Sequence, residues 1–366
     1  MATMDVKKGL VSSGRNYGSI LSTLDEKNEE QTSIVPALDS MGHVAGKSGK
    51  KHDPSSPELQ KDIDRALERA ETKGLLDYDD LPAPWQLNEY ILHGYRFTKS
   101  HWATAGSAFC IHNETTNIWT HVIAAVIILF AFPLYIPPLP TWYGPGGYSD
   151  VAMAGTYFLC FGGCMVCSIM WHTAKCSSSP TAIVTFVAVD VLSISLACSS
   201  FNFASVYCAF YQETAWLRFY LTVAGAWCII GMVLPFTSVF ETPEKAVFIV
   251  NCDWVPVSRA WMRTLYFCSM LATGTLIPMA HSTYLHGWKA SAELYSHCVS
   301  VLAPPFIGAM IYATKFPESV FPKKFDYIGS SHNLWHVCSA WGGVNGCIHI
   351  RYMLEIAWAR LAESMI

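Results

Sequence analysis

From Asn117 onward this 366-residue chain is a succession of apolar stretches, each about the length that a helix needs to cross a bilayer. They lie near 117–137, 151–173, 182–206, 216–238, 261–283, 294–314 and 332–355. In lipid, every backbone N–H and C=O must find a partner within the chain, and separate runs of this length meet that demand as helices. The breaks are well marked. Pro137, Pro138 and Pro140 end the first run, a Gly-Pro-Gly-Gly follows at 144–147, Ser177 to Pro180 divides the second from the third, and Lys315-Phe-Pro-Glu318 follows the sixth. The expected fold is an all-α membrane protein with seven transmembrane helices.

The 52% hydrophobic and 14% charged composition averages two unlike regions. Residues 1–80 are rich in Ser, Lys, Glu and Asp, and read as a largely disordered cytosolic tail with a charged, solvated helix near 57–76. A juxtamembrane segment, 81–116, precedes the membrane domain, 117–355, and a short non-cytosolic C-terminus, 356–366, follows it. The start, Met1 to Leu10, has no apolar core of a secretory signal, so the first span is expected to direct its own insertion. A net charge of −4 argues against nucleic acid as a partner. Most of the 13 cysteines sit inside apolar runs, where small polarizable side chains pack helices. Cys164 and Cys167 form an isolated CxxC with no second pair at zinc-ribbon spacing, and we read them as packing residues.

Basic residues orient the spans. Lys175, Lys245, Arg259, Lys315, Lys323 and Lys324 all follow even-numbered spans, whereas the loops after spans 1 and 3 carry none and the loop after span 5 has only Lys289. The positive-inside rule puts the N-terminus and the even-numbered loops in the cytosol. This topology is opposite to that of G-protein-coupled receptors, and neither Glu/Asp-Arg-Tyr after span 3 nor Asn-Pro-x-x-Tyr in span 7 is present.

With that orientation, three histidines fall in one layer. His332 and His336, four apart on the opening turns of span 7, share one helix face. His172 closes span 2 at the same end, and Asp190 lies about two turns into span 3. Burying imidazoles at the rim of a spanning helix is costly unless something binds them. Three neutral imidazoles with a fourth position left for water form a catalytic-type zinc site, in which the metal brings the water's pKa toward neutrality. Asp190 is then the candidate general base or orienting group, and Ser168, one turn before His172, the candidate hydroxyl for polarising a carbonyl or holding the water. His281, His286, His297 and His349 lie toward the opposite face. His112 and His121 are on the right side, but spacing does not say which way they point.

These residues strongly resemble the progestin and adipoQ receptor family, which includes the adiponectin receptors and haemolysin III-like proteins. The matching pieces are Asn88-Glu-Tyr-Ile-Leu-His-Gly-Tyr-Arg96, His112-Asn-Glu-Thr-Thr-Asn-Ile-Trp-Thr-His121, Ser168-x3-His172, Asp190, Tyr312 to Asp326, and Ser331-His-x3-His336. The resemblance implies seven helices with a cytosolic N-terminus and zinc held near the cytosolic face by His172, His332 and His336. It also implies that Asp190 is linked to the metal through a water and that Ser168 lies close by. Receptor activity and an architecture similar to membrane ceramidases come with it, so lipid-amide hydrolysis is the implied reaction class. The implied partners are a membrane lipid, fatty acid or sphingolipid and an extracellular protein ligand, at the plasma membrane or an endomembrane. Two departures stand out: Trp85 and Asn88-Glu89 are closer together than is usual for the family, without the usual Asp, and the loop 240–260 is long. Two readings follow, a zinc-dependent ceramidase-type hydrolase and a receptor or zinc and lipid regulator in which zinc is structural.

Overall fold

A computed structural model of the chain describes residues 56–135, 147–233 and 259–366; the expected disordered tail at 1–55 and nearly all of the loop 240–260 lie outside them. The helices are α1 (Pro57–Lys73), α2 (His101–Ser107), α3 (Thr115–Tyr135), α4 (Tyr148–Ala174), α5 (Pro180–Ala209), α6 (Thr214–Val233), α7 (Arg259–Leu271), α8 (Ile277–His286), α9 (Trp288–Leu294), α10 (Cys298–Thr314) and α11 (Ser331–Ser364). Among the described residues there is no strand, only the isolated bridges Leu76–Tyr95 and Thr98–Ser177.

By length and hydropathy α4, α5 and α6 suffice to cross a membrane, and α9 with α10, bent by 64° at their junction, make a fourth crossing if taken as one span. α3 is apolar over Thr115–Phe130. The stretch read as one span at 261–283 is interrupted by a π turn, Ala272–Leu276, between α7 and α8. Asn202 of α5 meets that turn: its Nδ2 donates to the Met270 carbonyl at 3.1 Å and its Oδ1 accepts from Thr275 Oγ1 at 2.9 Å. A side chain from a neighbouring helix thereby satisfies backbone that the altered ladder leaves short of partners. α11, although 34 residues long, is not apolar enough to qualify, because His332, Asn333 and His336 open it and Arg351, Glu355 and Arg360 close it. It packs centrally instead, against α3, α4, α5 and α10.

Small residues let α11 come close to its neighbours. A methyl group on Gly343 would fall 1.5 Å from the Phe161 ring of α4, and one on Gly342 would fall 2.4 Å from Pro305 of α10. Such contacts replace the hydrophobic drive that lipid cannot supply between helices. At one end of the bundle Asp150 is buried and accepts from Tyr207 Oη (2.8 Å), Tyr211 Oη (3.1 Å) and Trp358 Nε1 (2.9 Å), tying α4, α5 and α11 together. Outward-facing Ile123, Leu129, Leu159, Phe219, Ile229 and Phe306 are exposed, as lipid-facing side chains are.

At the other end sits a folded cap. Ser56 caps α1 through Leu59 N, Pro57 takes its first position and Gly74, at φ 80°, ends it. The helix is not simply solvated: Leu59, Ile63 and Ala66 form a stripe that packs on Leu76, Trp85, Tyr95 and Phe97, and this cluster continues into Trp171 of α4 and Ile183 of α5. Trp85 Nε1 donates to the Ser177 carbonyl at 2.9 Å, Thr98 N to the Cys176 carbonyl at 2.9 Å, and Leu92 N to Asp326 at 2.9 Å. The shortened Trp85-to-Asn88 spacing therefore still docks the segment on the bundle.

Candidate metal centre

The cap end of the bundle carries the histidines. His172 occupies the last turn of α4, whose helix stops at Ala174. His332 and His336 stand on the first two turns of α11, which a capping box between Ser330 and Asn333 starts at that register. One ligand atom from each of the three rings lies within 4.8 Å of the others. His172 and His336 are fully buried and His332 is half-buried. His172 Nε2 and His332 Nε2 are 3.2 Å apart. Two nitrogens bound at about 2.0–2.1 Å to one tetrahedral zinc stand roughly 3.3 Å apart, so the spacing fits a shared ion.

The far ring nitrogens say which tautomer is present. His172 Nδ1 lies 2.7 Å from Glu114 Oε2, and His336 Nδ1 lies 3.0 Å from the Asn117 carbonyl. A carboxylate and a carbonyl only accept, so each Nδ1 carries the proton and each Nε2 presents a lone pair to the centre. Lys175 Nζ pairs with the other oxygen of Glu114. Asn117 Nδ2 donates to Glu114 at 2.7 Å and its Oδ1 accepts from Asn333 at 2.6 Å.

The structure places the remaining expected residues as follows. Ser168 is buried on α4, one turn from His172. Asp190 is not among the groups whose ligand atoms meet; its electrostatic neighbours are Arg263 of α7 and Cys164 and Cys167 of α4. His121 stacks on His336 with ring centres 3.8 Å apart and planes 14° from parallel, and neither of its nitrogens has a hydrogen-bond partner among the described residues. Glu114, Asn117, Lys175 and Arg96 lie in the motifs and loops named above but not among the candidate site residues. A signal was present: Glu114, immediately before α3, and Asn117 and His121 on it are spaced i, i+3, i+7, which puts them on one face. His281 faces Tyr220 and Trp216, and His297 lies near His349, both pairs away from the three-histidine group.

A family described as Haemolysin-III related matches residues 109–344. Human progestin and adipoQ receptor family member 3 is 27% identical over 268 residues, 72% of this chain and 80% of its own length. Heptahelical transmembrane protein 1 of Arabidopsis thaliana is 26% identical over 318 residues, 84% of this chain and 86% of its own. An uncharacterized protein of Schizosaccharomyces pombe is 29% identical over 76% of this chain, which spans only 60% of that protein's length. The matched region contains α3 to α10 and the first turns of α11, and so all three converging histidines. The chain therefore belongs to the Haemolysin-III related family of multi-pass membrane proteins, the progestin and adipoQ receptor family that its motifs resemble.

Proposed function

We propose that this chain is a seven-helix membrane protein that holds zinc through His172, His332 and His336 and hydrolyses a lipid amide of the ceramide type, with receptor-like signalling. The observation that carries the proposal is the convergence of three inward imidazoles from two helices, two of them with tautomers fixed by Glu114 and Asn117. The N-terminus and the histidine end face the cytosol. Supporting this, Lys175 ends α4 beside the site, Lys315 lies over the Tyr90 ring of the cap, and Lys323 donates to the Tyr90 carbonyl, which groups the basic loops at one end.

Zinc held there supplies Lewis acidity and an activated water. The chain's own residues do the rest. His172, His332 and His336 would hold the metal through Nε2, the Ser168 hydroxyl would donate to the amide carbonyl, and the Asp190 carboxylate would serve as the base that holds and passes on a proton.

The second reading is a receptor with structural zinc, and what favours it is that Asp190 is not one of the groups whose ligand atoms meet at the three histidines. Receptor is also part of the names of relatives such as human progestin and adipoQ receptor family member 3. The deciding experiment measures zinc content and fatty-acid release from ceramide by the purified protein and its H172A, H336A and D190N variants. The hydrolase reading expects H172A and H336A to lose zinc and turnover, and D190N to keep zinc and lose turnover. Wild-type zinc with no release of fatty acid leaves the receptor reading; unchanged zinc in H172A rejects the ligand set.

A further inference from the structure

α3 donates none of the three imidazoles, yet its first two turns touch two of them. Glu114, just ahead of the helix, is 6% exposed and accepts the His172 Nδ1 proton at 2.7 Å. Asn117, one turn on, accepts the His336 Nδ1 proton on its backbone carbonyl at 3.0 Å. His121, a further turn on, lies flat against the His336 ring. The three share a face because their spacing is i, i+3, i+7.

From this juxtaposition we propose that the Glu114–His121 face of α3 is the orienting wall of the metal centre, with Glu114 as its principal positioning residue. The proposal rests on the zinc reading above and assigns a role to residues outside the ligand set.

The chemistry runs in one direction. An imidazole binds a metal only through a bare nitrogen, and two tautomers compete for which nitrogen is bare. An acceptor on Nδ1 settles that competition and fixes the ring plane. A carboxylate does this better than a neutral acceptor, since its bond is charge-assisted and makes the ring a stronger donor to the metal. Glu114 is itself held from two sides, by Lys175 Nζ on Oε1 and by Asn117 Nδ2 on Oε2 at 2.7 Å. Both contacts favour the ionised, acceptor-only form. Asn117 is anchored in turn by Asn333, which sits between His332 and His336 on α11. A single turn of α3 thus references both ligand-bearing helices to each other. The geometry distinguishes the ligands: His172 and His336 have their Nδ1 protons accepted by this wall, and His332 does not.

The test is zinc affinity of the full-length protein in detergent, measured by competition with a chromogenic chelator, together with the visible spectrum of the cobalt(II)-substituted form. E114Q keeps the shape and can still offer an oxygen to His172, but it loses the charge. E114A removes the acceptor. K175M leaves the carboxylate and removes its partner. Loss of an orienting carboxylate weakens metal binding by about 10–100-fold. We expect E114A to fall in that range, E114Q to fall less, K175M least, and the cobalt bands of E114Q to shift while its melting temperature stays within a few degrees of wild type. Wild-type affinity and an unchanged cobalt spectrum in both Glu114 variants would overturn the proposal and leave the zinc reading standing. A wild-type protein that binds no zinc would overturn both. If E114A does not fold, E114Q decides, because its spectrum reports the ring's environment independently of stability.

Discussion

Arg96 Nη2 donates to the main-chain carbonyl of His172 at 2.8 Å, so the amino-terminal cap is bonded directly to the backbone of a candidate metal ligand. The same guanidinium reaches the Ser107 hydroxyl, at the end of α2. A lysine carries a single ammonium and lacks the planar fork whose two separate nitrogens make these two contacts. R96K is expected to lower stability by roughly 1–3 kcal/mol, the usual cost of stranding a buried carbonyl that had a charged donor. Thermal unfolding in detergent measures it, and a melting temperature equal to wild type would show that the bond contributes nothing.

Glu318 plays the matching part at α11. Its buried carboxylate accepts from Ser331 N at 2.6 Å, Ser331 Oγ at 2.5 Å and Asn88 Nδ2 at 3.2 Å. A carboxylate at a helix N-terminus is also favoured by the helix dipole. E318A should therefore cost about 2–4 kcal/mol through three stranded donors and the lost dipole interaction. Hydrogen exchange at 331–336 is expected to speed up while exchange in α5 does not; uniform behaviour across the chain would contradict this assignment.

Helix approach makes its own prediction. G343A forces a methyl into the Phe161 ring, and overpacking of this kind costs about 1–3 kcal/mol. Trimming the ring in a G343A/F161L double variant should recover part of that loss, because the two sites share one space. A double-mutant cycle in melting experiments reads the coupling, and simple additivity would place the clash elsewhere.

His112 gives the protein a pH signature outside the membrane spans. Burial, assisted by the nearby Arg96 guanidinium, pushes its imidazole down to about 4. The unfolded chain takes up that proton near pH 6.5. Between about pH 6.5 and 4 the unfolded state therefore binds more protons than the folded state, and this group makes stability fall as pH falls through that window. Above it the contribution is flat. His112 Nε2 bonds the Ser107 carbonyl at 3.0 Å and Nδ1 accepts from Glu114 N at 3.0 Å, contacts that an uncharged glutamine can partly replace. H112Q should flatten the melting temperature against pH between 6.5 and 4.5; parallel wild-type and variant profiles would exclude His112 as the source.

How much of this was readable beforehand depends on what each feature is made of. The meeting of His172 with His332 and His336 follows from span order and depth alone, because a ligand at the last turn of one helix and a pair on the first turns of another reach the same layer. Depth does not give azimuth, so for Asp190 it fixes a layer and not a place in the group whose ligand atoms meet. Glu114, although it lies in a family motif, is not legible as a site residue, because it precedes the apolar run and hydropathy assigns it to a connecting segment. The cap was hidden for a related reason: Leu59, Ile63 and Ala66 are few among the charges of α1, and their partners Trp85, Tyr95 and Phe97 come from irregular chain whose turns carry no period. The π turn at Ala272–Leu276 left no sequence mark that a spanning helix would lack.

The 34 residues of α11 form an unbroken rod about 50 Å long, against roughly 30 Å of hydrocarbon in a bilayer. Its histidines sit at one tip, where the cap and Glu318 act as a fulcrum. A rod of that length converts small rotations into large displacements: tilting it by about 5° at the histidine tip sweeps the far tip through roughly 4 Å. A small rotation at the histidine tip is therefore magnified at the far end of the rod, and a displacement at Trp358 or Arg360 shrinks to a much smaller one among the imidazoles.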